Sequence, residues 1–189
     1  ALTRDEEIGC IGAEPLVRSM REVGVQPRIA FVGEPTSLRM IRAHKSINLV
    51  TVTFHGVAAH SSLTSEGVNA VEYAASLVRY WREQADRWRD EGPWDDAYPI
   101  AHTTGAVTLI EGGNGVNIIP ATCAVTLEFR SIGSAQDDQQ VIDDLVAFCR
   151  DLERAVRAEQ AEASVTRDAR GQTPGRATRE DGAAVGLGH

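Results

Sequence analysis

Apolar and polar side chains alternate from Asn48 to His55: Val50, Val52 and Phe54 fall on one side, Thr51, Thr53 and His55 on the other. That period of two predicts a half-buried strand. The period then changes. Val71, Ala74, Leu77 or Val78, Trp81, Ala85 and Trp88 recur at helical spacing. Asn69 offers an N-cap with Glu72 three residues on, and Glu91-Gly92-Pro93 is a stop. Alternation returns over Thr104–Ile110, closed by Gly112-Gly113. It returns again over Thr122–Arg130, where Cys123, Val125, Leu127 and Phe129 oppose Thr122, Ala124, Thr126, Glu128 and Arg130. Ser134 can cap a second helix whose apolar stripe is Val141, Leu145, Phe148, Leu152 and Val156. Ala161, Ala163 and Val165 suggest a fourth strand.

The predicted order is strand, helix, strand, strand, helix, strand, a ferredoxin-like α+β sandwich (βαββαβ) spanning 39–168. Such a unit can bury a core by itself. Residues 1–38 cannot: they offer a helix over Ala13–Val23, with Leu16, Val17, Met20 and Val23 on one face and Gly24 to end it, then a strand over Arg28–Val32 running into Gly33-Glu34-Pro35. Residues 169–189, rich in Gly, Arg and Thr, form no core either. The two ends read as N-terminal and C-terminal pieces of a larger α/β layered domain, incomplete here, into which the sandwich is inserted. In open α/β sheets ligands collect beyond the carboxyl ends of strands, so the acids after 1–38's apolar runs share one expected rim.

Composition narrows the function classes. The 189 residues are 42% hydrophobic and 24% charged, with formal net charge −8, the balance of a soluble globular protein. An acidic surface repels phosphate backbones, which argues against nucleic acid. No run approaches the roughly 18 apolar residues of a membrane span. The three cysteines, Cys10, Cys123 and Cys149, are odd in number and widely spaced, which fits a reducing cytoplasm rather than a disulfide framework. No signal peptide is visible, and the chain begins at Ala1 without an initiator Met.

The candidate chemistry lies in a few polar positions. Asp5, Glu6 and Glu7 stand together before Gly9. Packed carboxylates repel unless a cation or proton compensates, so the triplet is either a solvated turn or part of a metal centre with Glu34. Arg130, on the polar side of its strand, either grips a carboxylate in two places or pairs at the surface with Glu128 or Asp137. His60 precedes Ser61-Ser62 in a loop-like stretch. His44 and His55 read as structural or solvated, His102 has no clear role, and Trp81 and Trp88 read as core or interface.

Four segments in order, Thr3-Arg-Asp-Glu-Glu-Ile-Gly-Cys-Ile-Gly-Ala13, Val32-Gly-Glu-Pro-Thr-Ser37, His55-Gly-Val-Ala-Ala-His-Ser-Ser62 and Asn117-Ile-Ile-Pro120, resemble the co-catalytic zinc aminoacylase and peptidase family over about 1–180. The resemblance implies a metal-dependent amidohydrolase with two Zn2+ per complete site, Co2+ being an acceptable substitute. It implies a small-molecule N-acyl amino acid as substrate, N-acetyl-ornithine above all, in arginine biosynthesis. By the same resemblance Glu6 matches the general base, and Glu7 and Glu34 match ligands to one zinc each. His60 matches the lid histidine that enters the partner subunit's site of a homodimer, and Asn117 and Arg130 match substrate-holding lid residues. A His and a bridging Asp expected before Ala1, and a final His after the lid, have no counterpart; His189 does not match. The chain is therefore expected to be an incomplete piece with little activity of its own. A dimerising lid module without activity, or a desuccinylase or carboxypeptidase of the same family, are the alternatives.

Overall fold

The computed structural model describes residues 11–37, 39–179 and 185. In chain order its elements are α1 (Ala13–Glu22), β1 (Ala43–His44), β2 (Ile47–His55), β3 (Ala59–His60), a 3-10 turn (Thr64–Glu66), α2 (Ala70–Glu91), β4 (Thr104–Gly112), β5 (Ile118–Ile119), β6 (Thr122–Arg130), α3 (Ala135–Glu159), β7 (Ser164–Thr173) and β8 (Arg176–Ala177). They fall into two compact units, Ala43–Arg176 and Ala1–Arg42 with Ala177–His189.

The unit Ala43–Arg176 is built on one antiparallel sheet, order β4-β6-β2-β7. Numbering its strands one to four along the chain, that order is two-three-one-four, the ferredoxin-like arrangement expected from the alternation. Both helices lie on the same face, α2 against β4, β6 and β2, and α3 against β7. The positions with period two pointing at them are the core: Val52, Phe54, Val125, Leu127 and Phe129 are all at most 1% exposed. Trp81 and Leu145 meet them from α2 and α3. Tyr80 of α2 stacks on Phe148 of α3 with centroids 4.0 Å apart, joining the two helices.

The helix ends follow local chemistry. Asn69 Oδ1 accepts from Val71 N–H at 3.1 Å while Asn69 Nδ2 donates to Glu72 at 2.9 Å, and Gly92 ends α2 at φ 74°, a backbone angle open to glycine. At α3, Ser134 Oγ accepts from Asp137 N–H, and Asp137 Oδ2 accepts from Ser134 N–H at 2.7 Å, a reciprocal capping box.

Two predicted elements come out differently. The last strand is not confined to 161–165: it starts at Ser164 and runs to Thr173, with a bulge opposite Leu49/Val50. The free side of β2 presents a full-length row of donors and acceptors, and backbone pairing along Ile47–His55 carries polar residues such as Asp168 into the ladder at an exposed edge. The predicted strand Arg28–Val32 is absent. Phe31 is 61% and Val32 80% exposed, and among the described residues no strand pairs with them. An extended segment with no neighbour to bond cannot persist as a strand. In the same unit α1 forms where predicted, ends at Gly24 with φ 74°, and buries none of its residues.

Candidate functional site

Glu6 and Glu7 lie outside the described residues. Glu34 is exposed in a turn where its carbonyl accepts from Thr36 N–H at 2.8 Å. Among the described residues no group of three or more His, Cys, Asp or Glu gathers as a metal ion would need, so the described residues by themselves do not fit a two-zinc centre.

His60 and Asn117 are brought together. β2 ends at His55, and the chain turns at Gly56, whose N–H donates to the Ala121 carbonyl at 2.8 Å. A Cβ on Gly56 would stand 2.1 Å from the Val68 carbonyl oxygen, so only glycine allows the two backbones this close. Val57 and Val68 then exchange N–H···O bonds at 3.0 Å each. The chain continues into β3, where His60 pairs with Ile118 and Ala59 with Ile119, and Ser61 N–H donates to the Asn117 carbonyl at 2.9 Å. Both His60 and Asn117 are exposed, and Val116 beside them is fully so.

The ring state of His60 follows from its partners. Its Nδ1 accepts the Ser62 backbone N–H at 3.2 Å, with Ser62 Oγ at 2.8 Å. A backbone N–H has only a proton to give, so Nδ1 is the acceptor and the neutral ring carries its proton on Nε2. The free edge of His60 is thus a donor, the kind of group that stabilises negative charge growing on a carbonyl oxygen.

Arg130 stands elsewhere. It closes β6, opposite Thr104 of β4, whereas Thr122 at the other end of β6 is opposite His55. Eight steps along β6 at about 3.3 Å each separate the two ends by roughly 26 Å. One chain therefore does not bring Arg130 and the His60–Asn117 pair onto one amino-acid-sized ligand. Of the two surface partners read from the sequence, Glu128 is the one that Arg130 meets; the guanidinium side chain remains 52% exposed.

Two polar residues beside the Arg130 end carry no signal in the hydrophobic pattern. Asp138 of α3 is only 7% exposed; its Oδ2 accepts from Asn48 Nδ2 at 3.3 Å and its Oδ1 is buried without a partner. Lys45 donates through Nζ to the His102 carbonyl and lies 6.0 Å over the Tyr98 ring. Burial first, and then the Arg130 charge, hold the Lys45 ammonium below its usual pKa. In the sequence Lys45 stands just ahead of an alternating strand, and nothing in that local pattern marks it. His102, without a clear role in the sequence, contributes its backbone. His55 Nε2 meets Thr166 Oγ1 at 3.1 Å and His44 Nδ1 donates to the Lys45 carbonyl at 2.9 Å, as expected of structural histidines.

Residues 42–157 match the profile of the M20 peptidase dimerisation domain. The chain is 34% identical over 171 residues to an acetylornithine deacetylase of Myxococcus xanthus, covering 90% of this chain and 43% of that protein. It is 33% identical over 130 residues to an acetylornithine deacetylase of Pasteurella multocida, covering 69% of this chain and 33% of that one. Among solved structures, a tripeptidase from Staphylococcus aureus aligns with TM-score 0.55 at 20% identity, over 78% of this chain and 35% of that one. An aminobenzoyl-glutamate utilization protein from Klebsiella pneumoniae aligns with TM-score 0.53 at 20% identity, over 72% and 30%. At such identities the structures speak for the fold. The chain spans less than half the length of the curated relatives it matches.

Proposed function

The chain belongs to the M20 peptidase dimerisation-domain family, and from that premise we propose that Ala43–Arg176 is the dimerising lid of a metal-dependent amidohydrolase that frees an amino acid from its acyl group, N-acetyl-ornithine being the favoured substrate. The observation that carries this reading is the opposed placement of polar groups. The His60–Asn117 pair follows the end of the sheet where His55 faces Thr122, and Arg130 stands at the other end, about 26 Å along β6 from Thr122. A small ligand that needs both must take them from two copies of the chain, which is what a homodimer built through the lid supplies.

In this reading Arg130 takes the substrate carboxylate in a two-pronged grip, exchanging it for Glu128. His60 of the other copy donates its Nε2–H to the amide oxygen as charge develops there, and Asn117 holds the amide in place. Zinc, or cobalt in its place, is the metal, with Glu7 and Glu34 among its ligands and Glu6 as the base. The setting is cytoplasmic, in keeping with the buried free thiols of Cys123 and Cys149.

Kinetics of the whole protein test the reading. Arg130→Met should raise KM for N-acetyl-ornithine about tenfold or more, the scale of a lost charge-assisted hydrogen bond. His60→Ala should instead lower kcat, by about 100-fold. Equal effects on both parameters from both variants, or hydrolysis by a strictly monomeric protein, would refute it. A second reading, a lid module without activity, draws support from the match of residues 42–157 to the dimerisation domain. Zinc bound per chain after dialysis separates the two.

A further inference from the structure

We propose that Lys45 is a second cation of the carboxylate site at the Arg130 end of the lid, so that the site takes a small carboxylate between an ammonium and a guanidinium. This deepens, and rests on, the reading of Arg130 as the carboxylate-holding residue.

The backbone brings the two cations together. Ser46 N–H donates to the Ser131 carbonyl at 2.9 Å and the Ser131 N–H donates to Ser46 Oγ at 3.1 Å. Residues 45 and 130 therefore flank the Ser46–Ser131 pair on adjacent antiparallel segments, as diagonal neighbours within reach of long side chains. From there Lys45 Nζ reaches the His102 carbonyl, on the lead-in to β4, where Thr104 is the residue opposite Arg130. The ammonium thus lies next to Arg130, between β2 and the β4 lead-in.

Its surroundings leave the charge uncompensated. The Lys45 hydrogen bond goes to a neutral carbonyl, and its other contact is the Tyr98 ring face. Among the described residues no carboxylate pairs with it. Glu128, the acid beside Arg130 on β6, is engaged by Arg130. The partly desolvated Lys45 ammonium stands beside a guanidinium that already holds Glu128, an arrangement that repels until another anion arrives. A carboxylate suits it better than a phosphate: the planar fork of Arg130 matches two coplanar oxygens, and the ammonium, as a point charge with donors to spare, can share either of them. The loop that positions the Lys45 acceptor is itself closed by Asp95 N–H to the Ala101 carbonyl at 2.6 Å, so the carbonyl holding Lys45 in place is part of a built turn.

Titration of the 189-residue chain with N-acetylglycine, followed by NMR at the Lys45 Nζ and Arg130 Nε resonances, tests this. Both resonances should move together along one saturable curve. Lys45→Met should weaken binding about tenfold, Lys45→Arg should restore most of it, and inorganic phosphate should compete poorly. Movement of Arg130 alone, or unchanged affinity in Lys45→Met, would overturn the role of Lys45 while leaving that of Arg130. Unchanged affinity in Arg130→Met would overturn both. Equal competition by phosphate would reduce the site to a general positive patch and overturn the carboxylate assignment. Should Lys45→Met fail to fold, the wild-type Lys45 resonance decides by itself.

Discussion

Ser61 donates its backbone N–H to the carbonyl of Asn117 at 2.9 Å, and this bond, beside the pairing of His60 with Ile118, fastens the segment that follows His60 to the segment that precedes Ile118. Two polar side chains 57 residues apart in sequence are held side by side as a result, on a pair of two-residue strands that the sheet itself does not include.

That junction depends on Gly56. Gly56→Ala places a methyl carbon 2.1 Å from the Val68 carbonyl oxygen, and backbone cannot yield as a side-chain end can. Overpacking of this kind should cost about 1–3 kcal/mol, read as a lower urea midpoint with unchanged slope. The amide resonances of 57–68 and 117–121 should shift with it. A wild-type melt would show that the crossing relaxes freely.

The edge of β4 should govern assembly. β4 has one neighbour in the sheet, β6, and Leu109 and Ile110 on it are 60% and 55% exposed. An exposed apolar edge is a template for pairing with a second strand. Light scattering should find the chain dimeric and Leu109→Lys monomeric, with circular dichroism unchanged. A strict monomer in the wild type would remove the two-copy site.

Trp81 anchors α2 on the sheet. At 1% exposure it meets Trp88 and Phe129 edge-on, with centroids 5.6 and 6.0 Å away. Trp81→Ala should cost about 3–5 kcal/mol in chemical unfolding. Trp81→Phe should cost about 1–2 kcal/mol, because it also deletes an indole N–H that is buried without a partner. By contrast Arg79→Ala breaks only an exposed pair with Glu83 at 2.9 Å and should change stability by less than about 0.5 kcal/mol.

The start of α3 should give the protein part of its acid sensitivity. The Ser134 hydroxyl, and then its backbone N–H, hold the Asp137 carboxyl below the ordinary aspartate range. A depressed folded value means that the box stabilises fully above the ordinary aspartate range and loses its contribution as pH falls through the lower folded value. Ser134→Ala should cost about 1 kcal/mol at neutral pH, and Asp137→Asn should flatten the acid limb of the stability profile. An identical acid limb in that variant would place the sensitivity elsewhere.

The amino-acid sequence by itself determined the pieces whose causes are local. Alternation marked β2 and β6 because a strand with one covered face needs a period of two, and α2 and α3 declared themselves through a 3.6-residue stripe with caps at Asn69 and Ser134. Their order was enough to name the ferredoxin-like sandwich, because few topologies suit that sequence of elements. Tertiary structure decided everything that depends on which segments become neighbours. Arg28–Val32 has strand composition yet forms none, since the bonds of a strand belong to its partner as much as to itself; the polar run to Thr173 does form one, because β2 had an edge to offer. The separation of His60 from Arg130, the burial of Asp138 and the approach of Lys45 to Arg130 are likewise set by strand order and register, long-range pairings on which no local window of residues carries a signal.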